Sequence, residues 1–167
     1  MDIATSAWGS FGGDLLVTSE NSGAVRLISP GGTVTQIATA PLAEIGAFVP
    51  LNLGASGNPI EGFYAANYPV NIQFAAANEF AGLQGDAIIT SEDGVNARVW
   101  DLHFNGTSFD APTIIGHLPN QSEDGIFVTA QRIAPFVPEP ASLTLLATGI
   151  FAFTGFLLRR HWGRDRG

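Results

Sequence analysis

The sequence contains no cysteine and no lysine, and charged residues make up only 13% of its 167 positions. The absence of cysteine excludes disulfide scaffolds, Cys-ligated zinc, iron–sulfur clusters and thiol nucleophiles. Because the charged share is about half the usual one, coiled coils and long charged helices are also excluded. The hydrophobic fraction of 46% is too high for a disordered chain, and the length suits one domain of ordinary size.

Charge of the two signs is separated along the chain. Residues 1–138 contain 13 acidic and three basic residues, whereas residues 139–167 contain two acidic and four basic ones. An acidic body repels phosphate backbones, so the composition argues against nucleic acid as a partner. The positive charge of the C-terminal end belongs to four arginines: Arg159, Arg160, Arg164 and Arg166.

An internal repeat organises the acidic body. Residues 13–20 read GDLLVTSE and residues 85–92 read GDAIITSE, an offset of 72 positions. Without gaps, the same offset aligns Trp8 with Phe80, Arg26 with Arg98 and Leu27 with Val99. We therefore expect two copies of one supersecondary unit, at about residues 8–40 and 80–116, in a body that spans residues 1–134.

Each copy has the pattern strand, turn, strand, turn, strand. Asp93-Gly94 and Asn105-Gly106 are hairpin signals, because glycine and asparagine accept positive φ. No window before residue 140 shows sustained helical periodicity, so the predicted fold class is all-β with antiparallel strands. The predicted strands are 14–19, 24–29, 33–38, 45–53, 62–66, 71–75, 86–91, 97–104, 113–115 and 125–130.

The repeated unit resembles the blades of NHL- or gluconolactonase-type β-propellers, most clearly over residues 11–39 and again over 71–115. The resemblance implies a partial β-propeller, since propellers use four to eight blades and this body has room for about two to three. A small β-sandwich is the alternative. The exposed blade edges favour a fragment of a longer propeller.

Acidic residues recur at the predicted turns, Asp14 and Glu20 among them. Equivalent carboxylates on loops are a possible Ca²⁺ site, for which the candidates are Asp86, Glu92, Asp93, Glu123 and Asp124. No calcium-loop spacing is present, and Asp or Glu beside glycine is ordinary turn chemistry. We therefore expect no cofactor, with Ca²⁺ as the alternative.

No catalytic constellation is evident in the sequence. His103, His117 and His161 have neither metal-ligand spacing nor the context of a catalytic triad. Arg26 and Arg98 are expected to form ion pairs with Asp14 and Asp86 rather than to bind a ligand. The body is predicted to be a binding or structural domain and not an enzyme.

The tail begins with an uncharged run of 18 residues, from Ala141 to Leu158. As a helix it would be roughly 27 Å long, enough to cross a bilayer core, and we predict a transmembrane helix at 141–158. The arginines that follow make residues 159–167 a basic stop-transfer flank. By the positive-inside rule this flank stays cytoplasmic and everything before the helix is exported.

Between body and helix lies a proline-rich stalk, residues 135–140. Its sequence Val137-Pro138-Glu139-Pro140 cannot continue a helix and is expected to be extended and exposed. Pro-Glu-Pro, a hydrophobic helix and an arginine-rich end, in this order, resemble the PEP-CTERM sorting signal. The resemblance implies a substrate of exosortase, a membrane-embedded protease of Gram-negative bacteria that make exopolysaccharide.

The resemblance further implies that the tail is recognised in the inner membrane and removed near the motif, leaving the body at the cell envelope or in the extracellular matrix, where exopolysaccharide is a possible partner. Two alternatives remain: a permanently anchored surface protein, and a fragment of a gluconolactonase- or sugar-dehydrogenase-like propeller enzyme. Residues 1–6 lack the basic and apolar regions of a signal peptide, so Met1 is expected not to be the natural start.

Overall fold

The computed structural model describes residues 1–133, which form short β-strands joined by turns. The predicted stalk, membrane helix and basic flank lie outside these residues. Within the described part, no helix is long and apolar enough to span a membrane. The elements are β1 Asp2–Ile3, a 3-10 helix Ser6–Phe11, β2 Leu15–Ser19, β3 Ala24–Ile28, β4 Val34–Thr39, β5 Ala43–Phe48, β6 Gly62–Asn67, β7 Asn71–Ala76, a second 3-10 helix Ala77–Phe80, β8 Ala87–Ser91, β9 Ala97–Leu102, β10 Thr113–Leu118, β11 Ser122–Val128 and α1 Ala130–Ile133.

The strands form three antiparallel sheets. Sheet A has the order β1-β2-β3-β4, sheet B the order β10-β9-β8-β5, and sheet C the order β11-β6-β7. The predicted all-β class with antiparallel strands is therefore confirmed. The predicted strand at 45–53 is shifted, since β5 begins at Ala43 and ends at Phe48, before the turn that follows Pro50.

The two copies of the repeat occupy equivalent places in sheets A and B. Gly13 donates its N–H to the carbonyl of Ala4 at 2.9 Å, and Gly85 donates to Val49 at the same distance. Because Gly13 and Gly85 are related by the offset of 72, the segments before Ala4 and Val49 are equivalent too. In each sheet a strand from earlier in the chain thus pairs with the first strand of a three-stranded meander.

The aligned aromatics also occupy equivalent places, but the aligned arginines do not. Trp8 and Phe80 are both buried on the 3-10 helices. Residues 19–24 connect Thr18 to its partner Val25, whereas residues 91–98 connect Thr90 to its partner Val99. The second turn is therefore two residues longer, and the gap-free matching of Arg26 with Arg98 and of Leu27 with Val99 is wrong.

The sheets stack face to face in the order A, B, C. We call the face that carries Leu16 in sheet A, Ile88 in sheet B and Ile126 in sheet C the front face, and the opposite one the back face. The front of sheet A packs on the back of sheet B in one core, and the front of sheet B packs on the back of sheet C in another. The first core includes Leu16, Val25, Leu27, Phe48, Ala87, Trp100 and Leu102, and the second Ala47, Val49, Ile88, Phe63, Ala65 and Phe127.

A second repeat relates β5 to β11. Residues 44–49 read EIGAFV and residues 123–128 read EDGIFV, an offset of 79 positions that the sequence-based prediction missed. Both strands carry a β-bulge at the glutamate, because the register shifts between Ala43 and Ile45 and again between Ser122 and Asp124. β11 is therefore the edge strand of sheet C that corresponds to β5 in sheet B. The hairpin β6–β7, which is inserted between β5 and β8, supplies the other two strands of sheet C.

Candidate functional site

Carboxylates from the two repeats meet at one end of the stacked sheets. Glu20 follows β2, Glu92 follows β8, and Glu44 lies on the bulge of β5. One carboxylate oxygen from each lies within 4.8 Å of the others. Because β5 runs antiparallel to β8, the start of β5 lies beside the end of β8, and this brings Glu44 to the two repeated glutamates. We call these three residues the glutamate cluster.

Sheet C reaches the glutamate cluster through Gln121, immediately before β11. The Nε2 group of Gln121 donates hydrogen bonds to Glu92 at 3.2 Å and to Glu123 at 2.5 Å. Glu123 is the bulge residue of β11, as Glu44 is of β5. Acidic side chains from all three sheets thus converge here, and a single amide links two of them.

The convergence changes how these groups titrate. A hydrogen bond with Glu20, then burial and the charges of Glu20, Glu123 and Glu44, raise the pKa of Glu92 to about 7. Burial, followed by the charges of Glu20 and Glu123, also raises the pKa of Glu44. Because neighbouring carboxylates disfavour each other's charged form, the cluster retains a proton at a pH where isolated glutamates have lost theirs.

The five predicted calcium candidates are not brought together. Only Glu92 belongs to the glutamate cluster, with Glu123 beside it, while the Oδ1 atom of Asp124 accepts the N–H of Gly125. Carboxylate oxygens are the ligands that Ca²⁺ prefers, and the glutamate cluster brings one from each of three residues within 4.8 Å of the others. Glu44 was missed, and the offset-79 repeat was the signal that pointed to it.

Asp93 forms an ion pair with Arg98. The guanidinium of Arg98 donates from Nε to one carboxylate oxygen and from Nη2 to the other, the latter at 2.8 Å. This pairing lowers the pKa of Asp93 and raises that of Arg98. The expected pair of Arg98 with Asp86 is therefore wrong, because the longer turn places Asp93 within reach. Among residues 1–133 no salt bridge joins Arg26 to Asp14.

Asp86 pairs with a histidine that the sequence did not single out as its partner. The Oδ1 atom of Asp86 lies 2.7 Å from the Nδ1 atom of His103, and this hydrogen bond raises the pKa of the imidazole. Burial raises the pKa of Asp86, and it raises that of nearby Asp101 to about 6. A carboxylate can orient an imidazole for catalysis, but in the described part of the chain no hydroxyl is hydrogen-bonded to His103.

The comparisons with known proteins bear on the tail. A family model of the PEP-CTERM protein-sorting motif matches residues 136–160, which include Val137, Pro138, Glu139 and Pro140. No curated protein and no solved structure matches the chain. The matched residues lie outside the part of the chain that the structure describes. The chain thus carries a PEP-CTERM protein-sorting motif, the C-terminal signal of exported proteins that exosortase processes.

Proposed function

We propose that exosortase removes the tail near Val137–Pro140 and that the β body is delivered to the cell surface or to an exopolysaccharide matrix. The match of residues 136–160 to the sorting motif carries this proposal. The tail acts as an address: the uncharged run from Ala141 to Leu158 enters the inner membrane, and the arginines after it stay cytoplasmic. Because proline disfavours helix, we expect the Pro-Glu-Pro segment to present accessible backbone to the protease.

The body is a propeller-like binding or structural domain in this proposal. Three observations support it: the sheets are antiparallel, sheets A and B contain the same three-stranded meander, and each sheet stacks on the next by the same faces. In each sheet an edge strand, β1, β5 or β11, pairs with a meander or hairpin beside it. Neighbouring propeller blades share this succession, which supports the proposal.

The body binds or supports rather than catalyses, and it needs no metal. Two of the five predicted calcium ligands have side-chain partners of their own: Asp93 pairs with Arg98, and Asp86 pairs with His103. Turnover of a sugar lactone by the purified body would overturn this part of the proposal.

The test is the intact mass of the mature protein from a host with exosortase and from the same host without it. We expect loss of residues 141–167 only where the enzyme is present. Replacing Pro138, Glu139 and Pro140 together by alanine is expected to abolish the processing, whereas the matched change Pro135→Ala, in the same stalk but outside the motif, leaves it intact. A mass that retains residues 141–167 in both hosts would make the tail a permanent anchor.

A further inference from the structure

Two sheet faces are left open by residues 1–133, and they are opposite faces of the stack. On the front of sheet C, Ile126, Tyr64 and Phe74 form one row across the three strands, with Ile72 beside it. The side chains of Ile126, Phe74 and Ile72 are 44%, 46% and 69% exposed. On the back of sheet A a second row comprises Ile3, Leu15, Ile28 and Val34.

Equivalent positions in sheet B show what normally covers such a face. Ile3 and Leu15 of the back row correspond to Phe48 and Ala87, because Leu15 and Ala87 are related by the offset of 72. Ile3 is 53% exposed, whereas Phe48 is 4% exposed because the front of sheet A packs on it. Likewise Ile126 on the open front corresponds to Ala47, which is buried against sheet C.

The contact made inside the chain is specific to position. Asp2 of sheet A accepts the N–H of Phe48 in sheet B at 2.9 Å. Asp2 pairs with Leu16 as Ala47 pairs with Ile88, so Asp2 and Ala47 are equivalent front positions. Ile126 is equivalent to Ala47 through the offset of 79. Ala47 contacts sheet C in the core that contains Phe127, the counterpart of Phe48. At both junctions the front position of one sheet therefore meets the back position of the next.

We propose that a second copy of this chain packs the back of its sheet A on the front of sheet C, so that Ile126 of one copy meets Ile3 of the other. The surface that fits an open front is a back face, and residues 1–133 expose one on sheet A. The two faces also carry opposite charges, with Arg26 on the back of sheet A beside Leu15 and Asp124 on the front of sheet C beside Ile126.

The proposed contact is head to tail, because it joins two different faces of the chain. The rotation between copies therefore decides whether the assembly closes. Two copies related by a two-fold axis make it twice and close a ring of six sheets, whereas a rotation that does not close gives longer chains of copies. Either assembly buries apolar rows that a monomer leaves in water. The occupant comes from the chain itself, independently of what the proposed sorting tail does.

Cross-linking tests the pairing of faces directly, because the chain has no cysteine of its own. Full-length Ile3→Cys and Ile126→Cys chains are purified separately in mild detergent, mixed and oxidised. We expect a disulfide-linked dimer in the mixture and none in either chain alone, since each contact then has only one thiol. A matched mixture of Ile3→Cys with Val95→Cys, which lies in the β8–β9 turn and is 74% exposed, is expected to stay unlinked.

Light scattering of the full chain in the same detergent provides the second measurement. We expect a particle of at least two copies, reduced to one copy by Ile72→Glu with Phe74→Glu and equally by Ile3→Glu, but unchanged by Val95→Glu. Sensitivity to both faces distinguishes this contact from association through the tail. A particle of one copy, an oligomer that resists all these changes, or equal cross-linking of the Val95 control would overturn the proposal.

Discussion

The junction between sheets A and B and the junction between sheets B and C are built on the same plan with different partners. In the first, Trp8 lies edge-on to Phe48 with ring centroids 4.6 Å apart and packs against Phe109 at 5.0 Å. In the second, Phe80 packs against Phe127 at 5.0 Å and Phe63 at 6.2 Å. The repeat places one aromatic residue on a 3-10 helix, and the surrounding sheets determine what it contacts.

Truncating the two central aromatics would have the largest effect. Trp8→Ala and Phe80→Ala each leave a cavity at one junction, and we expect each to lower the free energy of unfolding by about 3–5 kcal/mol. Denaturant unfolding followed by circular dichroism measures both. Trp8→Phe is the matched control and should cost clearly less, because it keeps an apolar ring and removes an indole N–H that is buried without a hydrogen-bond partner. Equal losses for Trp8→Ala and Trp8→Phe would contradict this account.

Adding a methyl group at Gly46 and Gly125, the glycines related by the offset of 79, tests how tightly each junction is packed. A Cβ at Gly46 would lie 2.8 Å from Leu16 Cδ2 across the first junction, and one at Gly125 would lie 2.5 Å from the Phe63 ring in sheet C. Both alanine variants are expected to lose about 1–3 kcal/mol from overpacking. Gly116→Ala in β10 is the control, since nothing lies within 4 Å of its Cβ. Losses at Gly46 or Gly125 no larger than at Gly116 would show that the junctions yield easily.

The glutamate cluster, which touches both junctions, makes stability depend on pH. The pKa of Glu92 rises from 4.5 to about 7, so the folded state binds more protons than the unfolded state between these values. The contribution of Glu92 to stability is therefore largest below pH 4.5 and falls as the pH rises to 7. The raised pKa of Asp101, about 6, acts in the same direction.

Melting temperatures at pH 5 and pH 8 measure this dependence. We expect the higher value at pH 5 and a smaller difference in Glu92→Gln, which removes one of the converging charges. Glu79→Gln is the charge-matched control, because Glu79 is exposed and lies outside the cluster and outside the proposed contact between copies. A pH dependence that is the same in the wild type and in Glu92→Gln would rule out the cluster as its source.

The smallest effect concerns the two arginines. Arg98 lies with its guanidinium 4.9 Å from the Trp100 ring centroid and pairs with Asp93, whereas Arg26 faces Val17 across the ladder. Because the pair is partly exposed, Arg98→Ala is expected to cost about 1 kcal/mol or less, and Arg26→Ala in the unassociated chain less still. A double-mutant cycle with Asp93→Asn isolates the coupling. No coupling would show that the ion pair does not stabilise the longer turn.

The strands and hairpins were predictable because their signals are local. Asp93-Gly94 and Asn105-Gly106 mark turns, and the repeated octapeptides mark β2 and β8. The alignment of Arg26 with Arg98 failed because the turn between β8 and β9 is two residues longer than the turn between β2 and β3. Such an insertion shifts the residues after it but leaves the strand pattern recognisable. The sequence showed which segments were strands but not which residues faced each other.

The glutamate cluster was predictable only in part. Glu20 and Glu92 are the last residues of the recognised repeat, whereas Glu44 belongs to the repeat with offset 79. Glu44 lies near them because β5 pairs with β8 across the inserted hairpin. Likewise the partner of Asp86 is His103, which no local pattern associates with it. Pairings between segments distant in sequence depend on how the sheets stack. Residue spacing along the chain does not predict that stacking.

The sequence by itself determined the all-β body, the two hairpin-bearing repeats and the sorting motif at residues 136–160, because each depends on residue types at fixed short separations. Only the tertiary structure decided that β6 and β7 join β11, that four glutamates converge, and that residues 1–133 leave one front face and one back face uncovered. These features arise because a sheet is completed by whichever strand buries its apolar face, and that strand can come from anywhere in the chain.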